Sequence, residues 1–227
     1  MTEGFKTPER WNVEKRENLK WKTPIPGLGH SSPVIWGNRI FVTTAVNEKG
    51  DADLKVGLYG DIGAANDSGK QRWLLICADK ATGKILWQRT AHEGIPAIKR
   101  HTKATHANST PATDGQHVVC LFGSEGLFCF DAEGRLLWQK DLGHLDSGYY
   151  IVPEAQWGFG SSPIIHKNLV IVQCDVQGPS RLTGAARKSW STDTSTSAAT
   201  ICARGRNFGK CAVAATSLCR RPSRHTA

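Results

Sequence analysis

LICADKATGKILW, at residues 75–87, has a near copy in LFCFDAEGRLLW at residues 127–138. A second phrase alternates with this pair and occurs three times, as SSPVIWGNRIFV at 31–42, STPATDGQHVVC at 109–120 and SSPIIHKNLVIV at 161–172. Trp87 lies 51 residues before Trp138, and Pro111 lies 52 residues before Pro163. Because two unrelated phrases repeat with matching periods, the chain is predicted to be an array of one unit, as in a propeller or solenoid.

Each phrase has the pattern of a β-hairpin. In the first copy of the second phrase, Gly37-Asn38 separates two short apolar and β-branched runs, Pro33–Trp36 and Arg39–Thr44. The glycine supplies the positive φ that a tight turn needs. In the other phrase the strands flank a turn that begins at Asp79, whose carboxylate can accept hydrogen bonds from the turn amides. Two successive hairpins predict a four-stranded antiparallel sheet.

The strands of the second unit are apolar on both faces. Val118–Phe122 is an unbroken apolar run, whereas an antiparallel sheet with one face in water alternates apolar and polar residues. Such a sheet must be covered on both sides by neighbours, and blades stacked around an axis meet this need. The predicted fold class is therefore all-β, a β-propeller of four-stranded antiparallel blades.

Residues Ala78–Trp87 resemble the A-x-D-x-x-T-G-K-x-x-W motif of the pyrroloquinoline quinone (PQQ)-like β-propeller repeat family. The second copy is a variant in which Phe130, Glu133 and Arg135 replace Ala, Thr and Lys. In that family the Trp of each blade docks between its own sheet and the next. The resemblance therefore implies structural docking roles for both tryptophans and for the Asp and Gly of their turns: Trp87, Trp138, Asp79, Gly83, Asp131 and Gly134.

The length predicts an incomplete propeller. At roughly 50 residues a blade, the chain supplies at most about four blades, whereas closed propellers have four to eight. A polar insertion, Asn47–Arg72, takes up part of this length. We expect a lead-in at 1–20, a partial propeller of two full blades and part of a third at 21–178, and a distinct tail at 179–227. The chain is accordingly interpreted as a fragment, or a truncated or frame-shifted member, of a longer bacterial repeat protein.

The tail differs from the rest of the chain in charge and in amino-acid composition. Residues 178–227 contain seven Arg, two Lys and one Asp, so they carry +8 of the net charge of +9. This composition, without strand alternation, is typical of a GC-rich gene read out of frame, and predicts an out-of-frame or disordered segment. Against this, Trp190 lies 52 residues after Trp138, where the repeat predicts a docking Trp.

The basic tail also raises the question of a nucleic-acid partner. Lys and Arg clusters supply sequence-independent affinity for phosphates. Aromatic residues for base stacking are lacking in the tail beyond Phe208 and Trp190, and no recognition motif accompanies the charge. We therefore expect no nucleic-acid partner.

Two features bear on the cellular compartment. The sequence has no apolar run long enough to span a membrane, and its N-terminus lacks the apolar core of a signal peptide. Relatives in the family are generally exported, so the resemblance implies a periplasmic or extracytoplasmic protein that is here without its leader.

Cys120 and Cys129 belong to one predicted hairpin. A turn at Gly123–Gly126 pairs Cys120 with Cys129 across the strands and directs both side chains to the same face. Either a strained cross-strand disulfide or two buried thiols is compatible with that pairing. Quinone dehydrogenases of this fold carry adjacent cysteines over the cofactor, and none of the seven cysteines here is adjacent to another.

Histidines form a further constellation, in a predicted connection from Thr90 to Asn108. His92, His101 and His106 lie in this stretch, and three imidazoles can bind a transition metal. Their spacings match no compact ligand motif, and a solvated loop is the alternative. We expect no metal site. Loops of this kind line the mouth of a propeller, so His92, His101, His106 and Asn108 are the candidate functional surface.

Two functions follow as hypotheses. The first is a non-catalytic propeller, a scaffold or a module that binds a protein or small ligand at the propeller mouth, as in the exported lipoprotein that assists outer-membrane barrel assembly, to which the repeat is similar. The alternative is a fragment of a quinone-dependent dehydrogenase, which needs a calcium held by carboxylate and amide. That set cannot be placed in the sequence, so we expect no PQQ cofactor and no catalytic residues.

Overall fold

The computed structural model describes residues 8–50, 54, 64–66, 69–145, 158–166, 169–176, 197–204 and 209–216. These residues form twelve strands and one 3₁₀ turn, Gly123–Glu125, and contain no α-helix. The strands assemble into three four-stranded antiparallel sheets. The predicted all-β class and the four-stranded antiparallel sheets are therefore confirmed. A closed ring of sheets is not seen in this part of the chain, and the propeller stays a prediction.

The first sheet consists of four strands in chain order: β1 (Val34–Trp36), β2 (Arg39–Asn47), β3 (Gln71–Asp79) and β4 (Ile85–Gly94). Trp36 pairs with Arg39, so the two-residue turn at Gly37-Asn38 is confirmed. The second sheet repeats this order with β5 (Ala112–Thr113), β6 (His117–Leu121), β7 (Leu127–Asp131) and β8 (Leu136–Lys140).

The third sheet has a different strand order. It begins in the same way, with β9 (Ile164–His166) beside β10 (Leu169–Val176). The other two strands, β11 (Ser197–Arg204) and β12 (Gly209–Thr216), form a hairpin that joins β10 through its second strand, giving the order β9-β10-β12-β11. Both lie in the segment 179–227 that the sequence predicts to be disordered or out of frame. Its backbone contains a regular hairpin, whereas the reading frame stays a prediction.

The core fills the two spaces between the sheets. Between the first and second sheets, Trp73 and Phe41 meet Val118, Cys120 and other side chains of the second sheet. Between the second and third sheets, the opposite face of the second sheet meets Val170 and Val172 of β10. The second sheet is thus covered on both sides, as its unbroken apolar strands predict.

Hydroxyl groups link the segments that precede the first strand of each sheet. The backbone N–H of Ser32, before β1, donates to Oγ1 of Thr110, before β5, over 3.0 Å. The N–H of Thr110 donates in turn to Oγ of Ser162, before β9, also over 3.0 Å. The Ser/Thr-Pro steps of the second and third units are therefore acceptors for the unit before each, and these bonds connect neighbouring sheets.

The register of the second sheet corrects the prediction for its two cysteines. Cys129 pairs with Val119, and Cys120 pairs with Phe128. The shift arises because the backbone N–H of Phe122 bonds to the carbonyl of Gly126 around the 3₁₀ turn, so the connection is one residue longer than a four-residue turn. Cys120 faces the first sheet and Cys129 the third. The predicted cross-strand pairing was wrong, and both residues are buried thiols without a disulfide.

None of the residues that the structure describes forms a helix long and apolar enough to cross a membrane.

Candidate functional site

The two Asp turns are closed by carboxylate hydrogen bonds. Oδ1 of Asp79 accepts from the N–H and the hydroxyl of Thr82, each over 2.8 Å. Oδ1 of Asp131 accepts from the N–H of Glu133 over 3.0 Å and from that of Arg135 over 2.8 Å. Both turns use a glycine in the left-handed region, at φ +73° for Gly83 and +82° for Gly134.

The Asp131 turn gives a pH-dependent prediction. Burial acts to raise the pKa of Asp131, but hydrogen bonds from Arg135 and Glu133 outweigh it and hold this pKa below its usual range. We expect Asp131→Asn to lower the free energy of unfolding by about 1 kcal/mol at neutral pH. Because the pKa is lowered in the folded state, this stabilisation is present above the unfolded pKa of about 4 and is lost as the pH falls through the folded value.

Urea unfolding at neutral pH and below about pH 3 measures this difference. Glu133→Gln on the same turn is the control, because the Glu133 side chain is 62% exposed, and we expect it to change stability little. If Asp131→Asn lowers the free energy of unfolding by the same amount in acid as at neutral pH, the Asp131 carboxylate is not the source of the stabilisation.

Each turn glycine, Gly83 and Gly134, lies under a tryptophan from earlier in the chain. A Cβ added at Gly134 comes within 3.0 Å of Cδ2 and Cε3 of Trp87, on β4 of the preceding sheet. Trp87 is half-buried and contacts the core between the first and second sheets. Trp138 takes the equivalent place against the core between the second and third sheets.

Trp21 makes the same contact one unit earlier, and the sequence reasoning missed it. A Cβ at Gly83 comes within 2.5 Å of the Trp21 ring. The Trp21 indole N–H donates to the carbonyl of Lys80 over 2.9 Å, and the Thr23 hydroxyl donates to the carbonyl of Gly83. The signal was present in the sequence, since Leu19 precedes Trp21 by two residues as Ile85 precedes Trp87.

The three indole N–H groups differ in their partners. The acceptor that corresponds to Lys80 in the second sheet is the carbonyl of Ala132, and Nη1 of Arg39 donates to it instead. Nε1 of Trp87 is therefore buried without an acceptor in the described part of the chain. Nε1 of Trp138 is buried without one as well.

The histidines do not form a solvated loop. His92 lies within β4, so the connection begins later than predicted. Its ring centroid is 5.2 Å from that of Trp73 and 6.5 Å from that of Phe128. The His106 ring meets Trp73 edge-on at 6.0 Å, and its carbonyl accepts from the Trp73 indole. Both imidazoles therefore pack against Trp73, which is itself buried.

His101 and Asn108 complete the predicted surface and are also built into the fold. His101 is buried, and its Nδ1 accepts from the N–H of Lys103. Oδ1 of Asn108 accepts from the N–H and hydroxyl of Thr105, while its Nδ2 donates to the carbonyl of Phe159 over 3.2 Å. The three imidazoles are not brought together, and the described residues contain no cluster of three or more His, Cys, Asp or Glu side chains suited to a metal ion.

A groove opens where β4, β8 and the 3₁₀ turn end near one another. It has a volume of about 360 Å³, within the range of small-ligand sites. We call it the Glu125 groove, after the residue at its base; His92, Ile95, Glu125, Phe128, Gln139 and Lys140 contribute to its lining. Of the predicted surface, only His92 lines it.

Glu125 is a candidate site residue that the sequence reasoning did not single out. Its Oε1 accepts from the N–H of Ala97 over 2.9 Å. Burial raises the pKa of Glu125, and the hydrogen bond from Ala97 and the nearby His106 and His92 offset part of this rise. The one available signal was an acid in a tight turn between two fully apolar strands, which also fits an ordinary exposed turn.

The groove lining also contains one lysine and one aspartate, Lys140 and Asp141. Burial lowers the pKa of Lys140, and the neighbouring Asp141 acts against this fall. Oδ1 of Asp141 accepts from the N–H of Gly143 over 2.7 Å. At the 3₁₀ turn, Oγ of Ser124 accepts from the N–H of Leu145. The groove therefore combines carboxylate, ammonium, amide and imidazole groups with an aromatic wall.

No family model matches this sequence, and no curated protein matches it. The resemblance to PQQ-like propellers therefore stays a prediction.

Proposed function

We propose that the chain is a non-catalytic scaffold of PQQ-like repeats that binds a small ligand or a protein segment in the Glu125 groove. The observation that carries this proposal is the convergence of Glu125, His92 and Lys140 on one concave site. The groove lining is mostly polar, with Ile95, Ala97 and Phe128 as its apolar members, and polar groups placed in a concave site fix the orientation of a ligand. The sheets position these groups, since His92 lies two residues before the end of edge strand β4 and Lys140 is the last residue of edge strand β8.

The groove is held in shape before any ligand arrives. Its base is tied by the hydrogen bond from Ala97 to Glu125, and its wall by the contact of His92 with Trp73. Phe128 is 3% exposed and contacts Phe122 at 6.0 Å. A preformed site loses little conformational entropy on binding, which favours affinity for a small partner.

A blocking substitution tests the proposal. Gln139 is exposed and lines the groove, so Gln139→Trp is expected to fill it. A panel of small amines, alcohols, carboxylates and tripeptides is titrated into the full chain, and amide shifts at Ala97, Ser124 and Lys140 are followed by NMR. We expect at least one probe to shift these amides in the unmodified protein, and Gln139→Trp to weaken that binding roughly 10-fold or more.

The matched control is Gln88→Trp. Gln88 is exposed on β4 and does not line the groove, so binding is expected to be unchanged. Equal loss of binding in both variants, or shifts that fall outside the groove in the unmodified protein, contradicts the proposal.

A further expectation concerns the quinone. A dehydrogenase must hold its cofactor and substrate in a preorganised geometry, and small misplacements are costly to rate. The sequence supplies no adjacent cysteines and no assignable carboxylate-amide set for calcium. We expect no saturable binding of PQQ with calcium and no reduction of an electron-accepting dye with alcohol or sugar. Cofactor absorbance and dye bleaching measure both, and saturable binding with turnover overturns the scaffold proposal.

A further inference from the structure

The charge balance of the Glu125 groove indicates what it binds. Glu125, Lys140 and Asp141 all line the groove, so the formal charges of its lysine and its two acids leave a net charge of −1. Among the described residues, Glu125 forms no ion pair with a lysine or arginine side chain. Glu125 is half-buried, and a carboxylate partly removed from water without an ion-pair partner carries a desolvation cost that a bound cation can offset.

Glu125 has acceptor capacity left for such a cation. Its hydrogen bond from Ala97 uses one position on Oε1, whereas a carboxylate has about four acceptor positions. Charge-assisted hydrogen bonds to a carboxylate are about twice as strong as neutral ones. An ammonium group, with three N–H donors, suits this remaining capacity.

The groove lining includes exposed aliphatic side chains. Ile95 is 67% exposed on the rim, and Ala97 beside it is exposed as well. These side chains offer contact to methylene groups on the path toward Glu125. A volume of about 360 Å³ sets the ligand at the small end of the range for ligand pockets.

We infer that the Glu125 groove binds a primary ammonium group carried on a short aliphatic chain, with the ammonium at Glu125 and the chain along Ile95 and Ala97. This inference rests on the proposed function. A free alkylamine and the lysine side chain of a peptide share this chemistry.

Matched probes test the inference on the full chain. Pentylamine, 1-pentanol and pentanoate have the same aliphatic chain and differ in the head group. We expect pentylamine to shift the amides of Ala97 and Glu125, and to bind roughly 10-fold or more tightly than the other two. Pentylamine binding to the unmodified protein is expected to weaken with rising salt, because an ion pair is screened.

Glu125→Gln removes the charge and keeps an oxygen that can accept from Ala97. It is expected to weaken pentylamine binding roughly 10-fold or more. Glu93→Gln is the control, since Glu93 is an exposed acid on β4 next to His92. The salt series needs no variant, so the inference remains testable if Glu125→Gln does not fold.

The outcomes separate the two proposals. If 1-pentanol or pentanoate binds in the groove as tightly as pentylamine, or if Glu125→Gln binds pentylamine normally, the ammonium inference is overturned and the binding function stands. If none of the probes binds there, both are overturned. A lysine peptide that binds more tightly than pentylamine, and loses binding on acetylation, identifies a protein as the source; the reverse ranking identifies a free amine.

Discussion

Trp87→Ala is expected to lower the free energy of unfolding by about 3 kcal/mol, at the lower end of the range for removing a core tryptophan because Trp87 is half-buried. The ring contacts the core between the first and second sheets and rests on Gly134. Arg89 also lies over it, with its guanidinium carbon 5.6 Å from the ring centroid. Removing the ring therefore removes packing between the first and second sheets. Guanidinium unfolding followed by circular dichroism measures the loss.

Trp87→Phe separates packing from hydrogen bonding. The buried Trp87 indole N–H has no acceptor in the described part of the chain, so phenylalanine loses no hydrogen bond. We expect this change to cost about 1 kcal/mol. Trp21→Phe, by contrast, removes the bond to the carbonyl of Lys80. An alanine variant as stable as the parent shows that Trp87 is not a docking residue.

Gly134→Ala is expected to cost about 3 kcal/mol, from two sources. The residue lies at φ +82°, where a side chain costs 1 to 2 kcal/mol. The added Cβ also lies 3.0 Å from two ring carbons of Trp87, and overpacking of this kind costs about 1 to 3 kcal/mol. Urea unfolding with tryptophan fluorescence reports both the stability and the displacement of the ring.

Gly37→Ala is the matched control for backbone strain. Gly37 has φ +57°, and a Cβ there meets no atom within 4 Å. We expect a cost of about 1 kcal/mol from the left-handed conformation alone. Equal costs at Gly37 and Gly134 mean that the tryptophan exerts no steric demand on the turn.

Local features of the fold could be predicted from the sequence because their causes are local. The turns at Gly37 and Asp79 depend on residues within a few positions, and the structure forms both hairpins. Burial of the second sheet on both faces followed from the composition of Val118–Phe122 alone. These properties need no knowledge of distant contacts.

Register and site could not be predicted because their causes are distant or subtle. One extra residue in the connection between Leu121 and Leu127 turned Cys120 and Cys129 to opposite faces, since side chains alternate along a strand. The Glu125 groove forms from segments that meet only in three dimensions, and its acid resembles any turn residue in sequence. His92 and His106 pack against Trp73. Their spacing in the sequence does not reveal this contact.

The contact of Trp21 and Thr23 with the Gly83 turn also has a consequence for synthesis on the ribosome. Sixty residues separate Thr23 from the carbonyl that its hydroxyl binds. At 5 to 20 residues per second, the N-terminal segment waits roughly 3 to 12 s before its partner turn is made. During that time the Gly83 turn that the Trp21 ring contacts does not yet exist. The ring is then an exposed apolar group that a chaperone can bind. The first sheet thus depends for its completion on a segment that is translated before any of its own strands.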